Sequence, residues 1–371
     1  MADVLIAGGG VVGLAIAREL ALSGLKVTLL DRQNFGREAS WAGAGILPPT
    51  VPTPPDDLLN RLTTATHALW PRLAADLLET TGIDNGFRTC GGITLPGDAV
   101  DVAELTFREP ERRLPDDEIN AWRRSGALVE PLDAGAIEHL EPALAPQPRG
   151  GFRLPELCQV RNPRHLRALL ADVQRLGVDL QPDCEVLELC REGERVLGVT
   201  TTTGRIAAGA VVIAAGAWSR TLLPPESVAF PQIEPVRGQI VLYRLERPPV
   251  RHVIECGHRY IVPRDDGRVL VGSTEERAGF DHRTTPEGIA GPEAFAMTLL
   301  PSLRDAVKER EWAGLRPYSS SPLPSIGPVP GFSRLYVATG HFRSGLHLSP
   351  ITARLMRQMI TGQTPDYPVR V

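Results

Sequence analysis

The 371-residue sequence has no CxxC pair, no long apolar run, no internal repeat and no strong charge bias. Each absence removes a class of protein. The five cysteines, Cys90, Cys158, Cys184, Cys190 and Cys256, are scattered and odd in number. They frame neither a disulfide scaffold nor a zinc site, and they fit a reducing compartment. No stretch reaches the roughly 18 apolar residues of a spanning helix, so no membrane partner is expected. Asp3 follows the start too closely for the apolar core of a secretory leader, and a cytoplasmic location is expected. A net charge of −4 offers no basic surface to nucleic acid or an anionic membrane. No cluster has metal-ligand spacing, so no metal is expected, and no hydrolase triad order stands out. What remains is an ordinary globular composition, in a chain long enough for two domains or one large one.

The first thirty-odd residues are the most informative. Val4-Leu-Ile-Ala7 is short and apolar and reads as a buried parallel strand. Gly8, Gly10 and Gly13 follow in GxGxxG spacing. The first glycine allows the sharp turn, the second lets a pyrophosphate approach the backbone, and the third lets the helix pack against the strand. The spacing predicts a helix over 12–23, with Leu14, Ala17, Leu20 and Ala21 inward and Gly24 ending it. Free N–H groups at its start favour an anion. Asp31 closes the next strand, eighteen residues after Gly13, where a carboxylate reaches ribose hydroxyls. Together these predict an adenine dinucleotide site. An acid in that place argues against a 2′-phosphate, and FAD and NAD both remain open.

Downstream, Ser40-Trp-Ala-Gly-Ala-Gly45-Ile-Leu is rich in small residues that permit close approach to a planar ligand. Residues 57–81 carry helical periodicity, with Leu58, Leu59, Leu62, Leu69, Leu73, Leu77 and Leu78 on one face and Gly82 as a stop. A strand is expected over 89–95, and a helix from Pro163 to Leu176. Ala210-Val-Val-Ile-Ala-Ala-Gly216 and Leu335-Tyr-Val-Ala-Thr-Gly340 read as further strands of the parallel sheet, the second followed by a helix over 349–361. The dinucleotide fold is therefore laid down in three pieces. Between them, Gln239–Tyr243, Arg259–Val262 and Arg268–Val271 alternate as strands of a second, sheet-containing domain.

Gly8–Gly13, the 40–47 loop, Ala214-Ala-Gly-Ala-Trp218, Arg237-Gly-Gln239, Tyr260-Ile-Val-Pro-Arg264, Gly267–Thr274, Trp312-Ala-Gly-Leu-Arg-Pro317 and Gly340-His-Phe-Arg-Ser-Gly345 occur in this order. Together they resemble the D-amino-acid-oxidase-like FAD flavoproteins, and within that group the glycine oxidases of thiamine biosynthesis. The likeness covers nearly the whole chain. It implies an α/β fold: a Rossmann-like FAD-binding domain on a parallel sheet, and a second α+β substrate domain on a mostly antiparallel sheet. The expected division is 1–85, 150–230 and 311–371 for the FAD, with 86–149 and 231–310 for the substrate.

The resemblance implies non-covalent FAD. Gly8, Gly10, Val11, Val12, Gly13, Asp31 and Arg32 would hold its adenosine half, and Ala39 and Ser40 the pyrophosphate. Ala44, Gly45 and Ile46 would lie along the isoalloxazine, with Val186 at the adenine and Gly216 at the end of its strand. The turn His341, Phe342, Arg343, Ser344, Gly345, Leu346 and His347 would close over the pyrimidine end, where N–H groups favour the negative charge of reduced flavin. The family moves a hydride from Cα of an amino acid to flavin N5. The imine hydrolyses to a keto acid and ammonia, and oxygen reoxidises the flavin to give peroxide. A small amino-acid or amine substrate and molecular oxygen are thus the implied partners, and a homo-oligomer is expected.

A carboxylate substrate calls for a fixed guanidinium. Arg316 aligns with the family's clamp, Arg343 would sit beside the flavin, and Tyr260 would add a hydroxyl. Against this, an arginine is commonly a solvated charge and a strand tyrosine a packing residue. His341 is a weak candidate for a general base, because hydride transfer can start from a neutral amine. His258, Asp281 and Asn162 receive no role. Ser344 and His347 stand where relatives often carry Asn and an aliphatic residue. Two other readings are a D-amino-acid or sarcosine-type oxidase or dehydrogenase and, from another class, a non-catalytic flavin-binding module.

Overall fold

A computed structural model describes residues 1–96, 115–147, 149–227 and 230–369. Strand β1, Ala2–Ala7, leads into helix α1, Val11–Leu22, and strand β2, Val27–Leu30. From Val4 onward β1 is buried on both faces, which is why its apolar run does not alternate. Leu14, Ala17 and Leu20 of α1 face the core at no more than 1% exposure. The helix ends at Ser23, followed by Gly24 at φ +83°.

Five strands run parallel in the order Leu335–Thr339, Gly204–Ile213, β1, β2 and Asp179–Gln181. Val4 lies opposite Ala210, and Ala7 opposite Ile213. The two late strands expected from their apolar runs therefore flank β1 on one side, and the sheet is assembled from distant pieces. Helices Asn162–Arg175 and Gly345–Ile360 pack on α1 and share its core.

Helix α1 is also held by charge. Arg18 Nε donates to Asp172 Oδ2 at 2.7 Å, and Arg175 Nε donates to Oδ1 at 2.9 Å. Asp172 is fully buried. Burial pushes its carboxyl up, but the two guanidinium bonds outweigh this and the net shift is downward. Arg18→Met leaves that buried charge with Arg175 as its remaining guanidinium partner, and urea unfolding should show a loss of about 3–5 kcal/mol. A carboxyl with a depressed folded pKa stabilises fully above its unfolded value of about 4, and less as pH falls through the folded value. The acid-side decline in stability should therefore be shallower in Arg18→Met than in the parent. An unchanged urea midpoint would show that the pair contributes nothing.

The second sheet runs Val307–Ser319, Ile233–Arg244, Arg268–Gly272, Arg259–Pro263, Val253–Cys256, Gly92–Leu95, Gly151–Leu154 and Glu130–Leu132. Its pairings are antiparallel except Val253–Cys256 with Gly92–Leu95. The molecule is thus α/β, with one largely parallel and one mostly antiparallel sheet, as the sequence implies, and a small third sheet of Ile46–Leu47, Cys158–Gln159 and Arg88–Thr89.

Several details differ from the sequence reading. The segment edges at 150 and 311 miss the sheets' own boundaries, since Gly151–Leu154 and Val307–Ser319 pair in the second sheet. Apolar patterning marks a strand but not the sheet that receives it. The strand expected over 89–95 breaks at Gly91, φ +68°, into Arg88–Thr89 and Gly92–Leu95, which join different sheets. The last helix starts at Gly345 and takes Pro350 into its first turns. Helix Leu58–Thr81 is capped by the Asp57 carboxylate and stopped by Gly82 at φ +69°, yet Leu78 is 49% exposed. It stands about 100° round the helix from buried Leu77. Among the described residues, no helix is long and apolar enough to cross a membrane, and no cluster is suited to a metal. All five cysteines are free.

Candidate active site

One cavity of about 540 Å³ runs from the glycine turn to the face of the second sheet. Every residue named above for cofactor or substrate lines it except Gly13. Gly13 works from behind, where a Cβ would overlap the carbonyl oxygen of Gly8. Gly8, at φ +113°, has no more room, since a Cβ there would overlap Ala214. The first turn of α1 carries no acid, and Ser40 Oγ accepts from Val11 N at 2.9 Å. The Asp31 carboxylate is fixed by Gly9 N at 2.8 Å and Gln33 N at 3.0 Å. Burial raises its pKa against those bonds. Arg32 pairs with Glu38 and stacks over Trp218 at 3.7 Å from the ring centroid. Val186 opens its strand nearby, and Gly216, φ +54°, accepts a bond from Thr339.

The middle of the cavity is bounded by Ala39, Ser40, Ala44, Gly45 and Ile46. Two residues without an assigned role hold this loop. Asn162 Nδ2 donates to Ser40 O at 2.8 Å, and buried Arg264 donates to Ala44 O at 2.6 Å and to Gln159 Oε1 at 2.6 Å. Burial drives the Arg264 pKa down to about 9, with the charges of Arg161 and Arg88 adding to it. Gly45, φ +75°, sits so close that a Cβ would overlap Val160 O. The glycine cradle, the acid-free helix start and the anchored small-residue loop fit a flavin dinucleotide along their whole length.

The 341–347 segment is a 3-10 turn, Phe342–Ser344, running straight into helix Gly345–Ile360. Its backbone thus presents a helix start to the cavity. His341 is buried against Thr352 at 3.0 Å, and burial lowers its pKa to about 4. His347 is likewise buried, with its pKa lowered to about 3 by burial and then by His67. Its carbonyl accepts from Thr66 Oγ1 at 3.0 Å and Trp70 Nε1 at 3.1 Å. Both imidazoles are neutral near pH 7. Ser344 N bonds back to His341 O, and Leu346 packs beside the parallel-sheet core.

The floor at the other end belongs to the second sheet. Arg316 NH2 donates to Ser273 Oγ at 2.7 Å, and NH1 to Thr274 O at 3.2 Å. The guanidinium lies flat on Gly238, where a Cβ would displace it. Burial lowers its pKa, opposed by Tyr260 and Glu275. Tyr260 leans over Gly272 toward the same point. Arg343 lines the same cavity and is bonded from two sides. Its Nε donates to Glu275 Oε1 at 2.5 Å, and its NH2 meets His258 Nδ1 at 2.9 Å. Asp281 binds Arg283, away from the floor.

A parallel dinucleotide fold whose cavity ends on a half-buried, hydrogen-bonded guanidinium defines a nucleotide-cofactor oxidoreductase of carboxylate-bearing substrates. The chain belongs to the family described as FAD dependent oxidoreductase (DAO), whose model matches residues 3–359. It is similar to the glycine oxidase of Pseudomonas aeruginosa, 39% identical over 367 residues covering 98% of this chain and 95% of that protein. It is similar also to the bifunctional protein ThiO/ThiG of Trichormus variabilis, 34% identical over 98% of this chain and 53% of that one. The crystal structure of glycine oxidase from Geobacillus kaustophilus superposes with a TM-score of 0.89 at 32% identity, covering 99% of this chain and 96% of that one. The chain is an FAD-dependent amino-acid oxidase, and the non-catalytic alternative falls away.

Proposed function

We propose that the enzyme oxidises glycine, with other small amines such as sarcosine and D-alanine as secondary substrates. The products are an imine, hydrolysed to glyoxylate and ammonia, and hydrogen peroxide from oxygen. The carrying observation is the Arg316–Tyr260 pair standing over a floor of glycine at Gly238 and Gly272. The relatives named glycine oxidase support the substrate, and the relative joined to ThiG supports a role in thiazole formation for thiamine biosynthesis.

In this reading Arg316 grips the substrate carboxylate and Tyr260 adds a hydroxyl bond. Gly8–Gly13, Asp31, Arg32 and Val186 hold the adenosine half of FAD, Ala39 and Ser40 the pyrophosphate, and Ala44–Ile46 the ring. The helix start at 342–347 faces the pyrimidine end. FAD, when bound, supplies the acceptor for the hydride leaving Cα and passes the electrons to oxygen. The protein's part is to hold the amine's α-carbon in one place and keep water out. Neutral His341 is bonded to Thr352 and is left out of proton transfer. Arg343, committed to Glu275, braces the helix start and leaves the carboxylate to Arg316.

Anaerobic titration with glycine tests the reading. The yellow flavin band should bleach and then return on admission of air, with peroxide formed. A flavin left oxidised by glycine but bleached by D-alanine or sarcosine would move the enzyme to the D-amino-acid or sarcosine-type alternative.

A further inference from the structure

One row of cross-strand neighbours crosses the floor of the cavity. Glu255, Tyr260, Gly272, Ile240 and Trp312 stand opposite one another on five adjoining strands. Cross-strand partners point to one face of a sheet. Arg316 is four residues beyond Trp312 on the same strand, so it shares that face. Its guanidinium crosses Gly238 to reach Ser273, and Tyr260 leans over Gly272 from the opposite side. A carboxylate held by both rests between them. Glu255 stands one strand beyond Tyr260, about 5 Å further across the sheet, and lines the same cavity. Helix Pro115–Arg124 walls this end. Trp122 lines the cavity, and Glu118, one turn earlier, sets its charge against Glu255.

Glycine held at Arg316 has no side chain with which to approach Glu255; a longer amino acid has one. We infer that Glu255 selects the far end of the substrate, admitting amino acids that end in a positive or hydrogen-bond-donating group and rejecting those that end in a second carboxylate. The inference rests on the reading that Arg316 holds the α-carboxylate.

The surrounding charges agree. Glu118, Glu255 and Glu275 gather at this end, where the Arg343 guanidinium is tied to Glu275 and His258 and the Arg316 guanidinium also feels the charge of Glu275. The Glu255 carboxylate makes no hydrogen bond with another described residue. Among the described residues, the neighbouring strand Gly92–Leu95 brings no charge, and His258, Arg259 and Tyr260 are the other titratable or charged groups on the turn and strand beside it. Burial raises the Glu255 carboxyl to about 7, Glu118 adds to the rise and Arg343 opposes it. A group with that pKa is neutral on the acid side and charged above, so rejection of a second carboxylate should grow as pH rises through neutrality.

Competition against glycine by D-ornithine and D-glutamate tests this, since the two are similar in length and opposite in end charge. Either one occupies the pocket whether or not it is oxidised. At about pH 8.5, D-ornithine should inhibit at about tenfold lower concentration than D-glutamate, and the preference should shrink toward about pH 6. Glu255→Gln should cut the preference at the higher pH by about fivefold or more. The pH series on the unchanged protein stands by itself should that variant fail to fold. Equal inhibition by the two, absence of inhibition by both, or a preference unchanged in Glu255→Gln overturns the inference with glycine turnover intact. Failure of glycine itself to be consumed overturns the earlier reading instead. The same two ligands are then compared by the shift that each causes in the flavin spectrum.

Discussion

Arg316→Ala should retain its flavin and lose its grip on every amino-acid substrate. Truncating one partner of a buried, hydrogen-bonded charge pair costs about 2–5 kcal/mol, which is a fall in kcat/KM of about 30-fold to a few thousand-fold. Most of the fall should appear in KM, because the carboxylate is held alike in the ground state and the transition state. The position of the guanidinium makes the expectation sharper. It is pinned by Ser273 Oγ at 2.7 Å and Thr274 O at 3.2 Å, and it lies on Gly238 with no space for a Cβ beneath it. Gly238→Ala, a change on another strand, should therefore push the guanidinium off its seat and reproduce much of the defect while the charge remains. Arg316→Lys should also be impaired, since an ammonium cannot offer the planar fork. Steady-state kinetics with glycine measures all three. A KM for Arg316→Ala equal to the parent's would remove Arg316 from the substrate site.

The parts of this site that were legible in the sequence are the local ones. Gly8, Gly10, Gly13 and Asp31 lie within one strand–helix–strand unit, so their spacing alone carries the geometry. The loop from Ala39 to Ile46 was recognisable by its small residues, but its anchors were not. Asn162 and Arg264 reach it from about 120 and 220 positions away, through bonds that no periodicity announces. Register decides the rest. Ser273 meets Arg316 because Arg268–Gly272 and Val307–Ser319 flank the same strand, Ile233–Arg244. Arg343 has the chemistry of a clamp, and its bond to Glu275, 68 residues upstream, was not legible in the spacing. Glu255 drew no notice in an apolar strand, Val253–Cys256, because only the pairing with Tyr260 turns it toward the cavity. The sheet that receives Gly151–Leu154 or Val307–Ser319 was illegible for the same reason. A strand declares its face by alternation, but its neighbours are chosen by tertiary packing.

Gly13→Ala should damage both the fold and the hold on FAD. The added Cβ would overlap the Gly8 carbonyl oxygen, and Gly8 cannot retreat because Ala214 backs it. Relief requires α1 to move away from β1. That helix is packed on its other sides by Asn162–Arg175 and Gly345–Ile360, and it carries the Arg18–Asp172 bond. Overpacking a core ordinarily costs about 1–3 kcal/mol, and a clash of backbone with backbone belongs at or above the top of that range. The same movement would draw the helix start away from the pyrophosphate position, so most of the FAD should be lost on purification. Gly24→Ala separates this from mere backbone strain. Gly24 has φ +83° with nothing within 4 Å of its Cβ position, so its penalty is the left-handed conformation alone, about 1 kcal/mol. Thermal unfolding with the ratio of flavin to protein absorbance distinguishes the two. The expected order is a yellow, slightly less stable Gly24→Ala and a colourless, much less stable Gly13→Ala. A yellow Gly13→Ala with the parent's midpoint would mean that the third glycine is not what sets the helix against the strand.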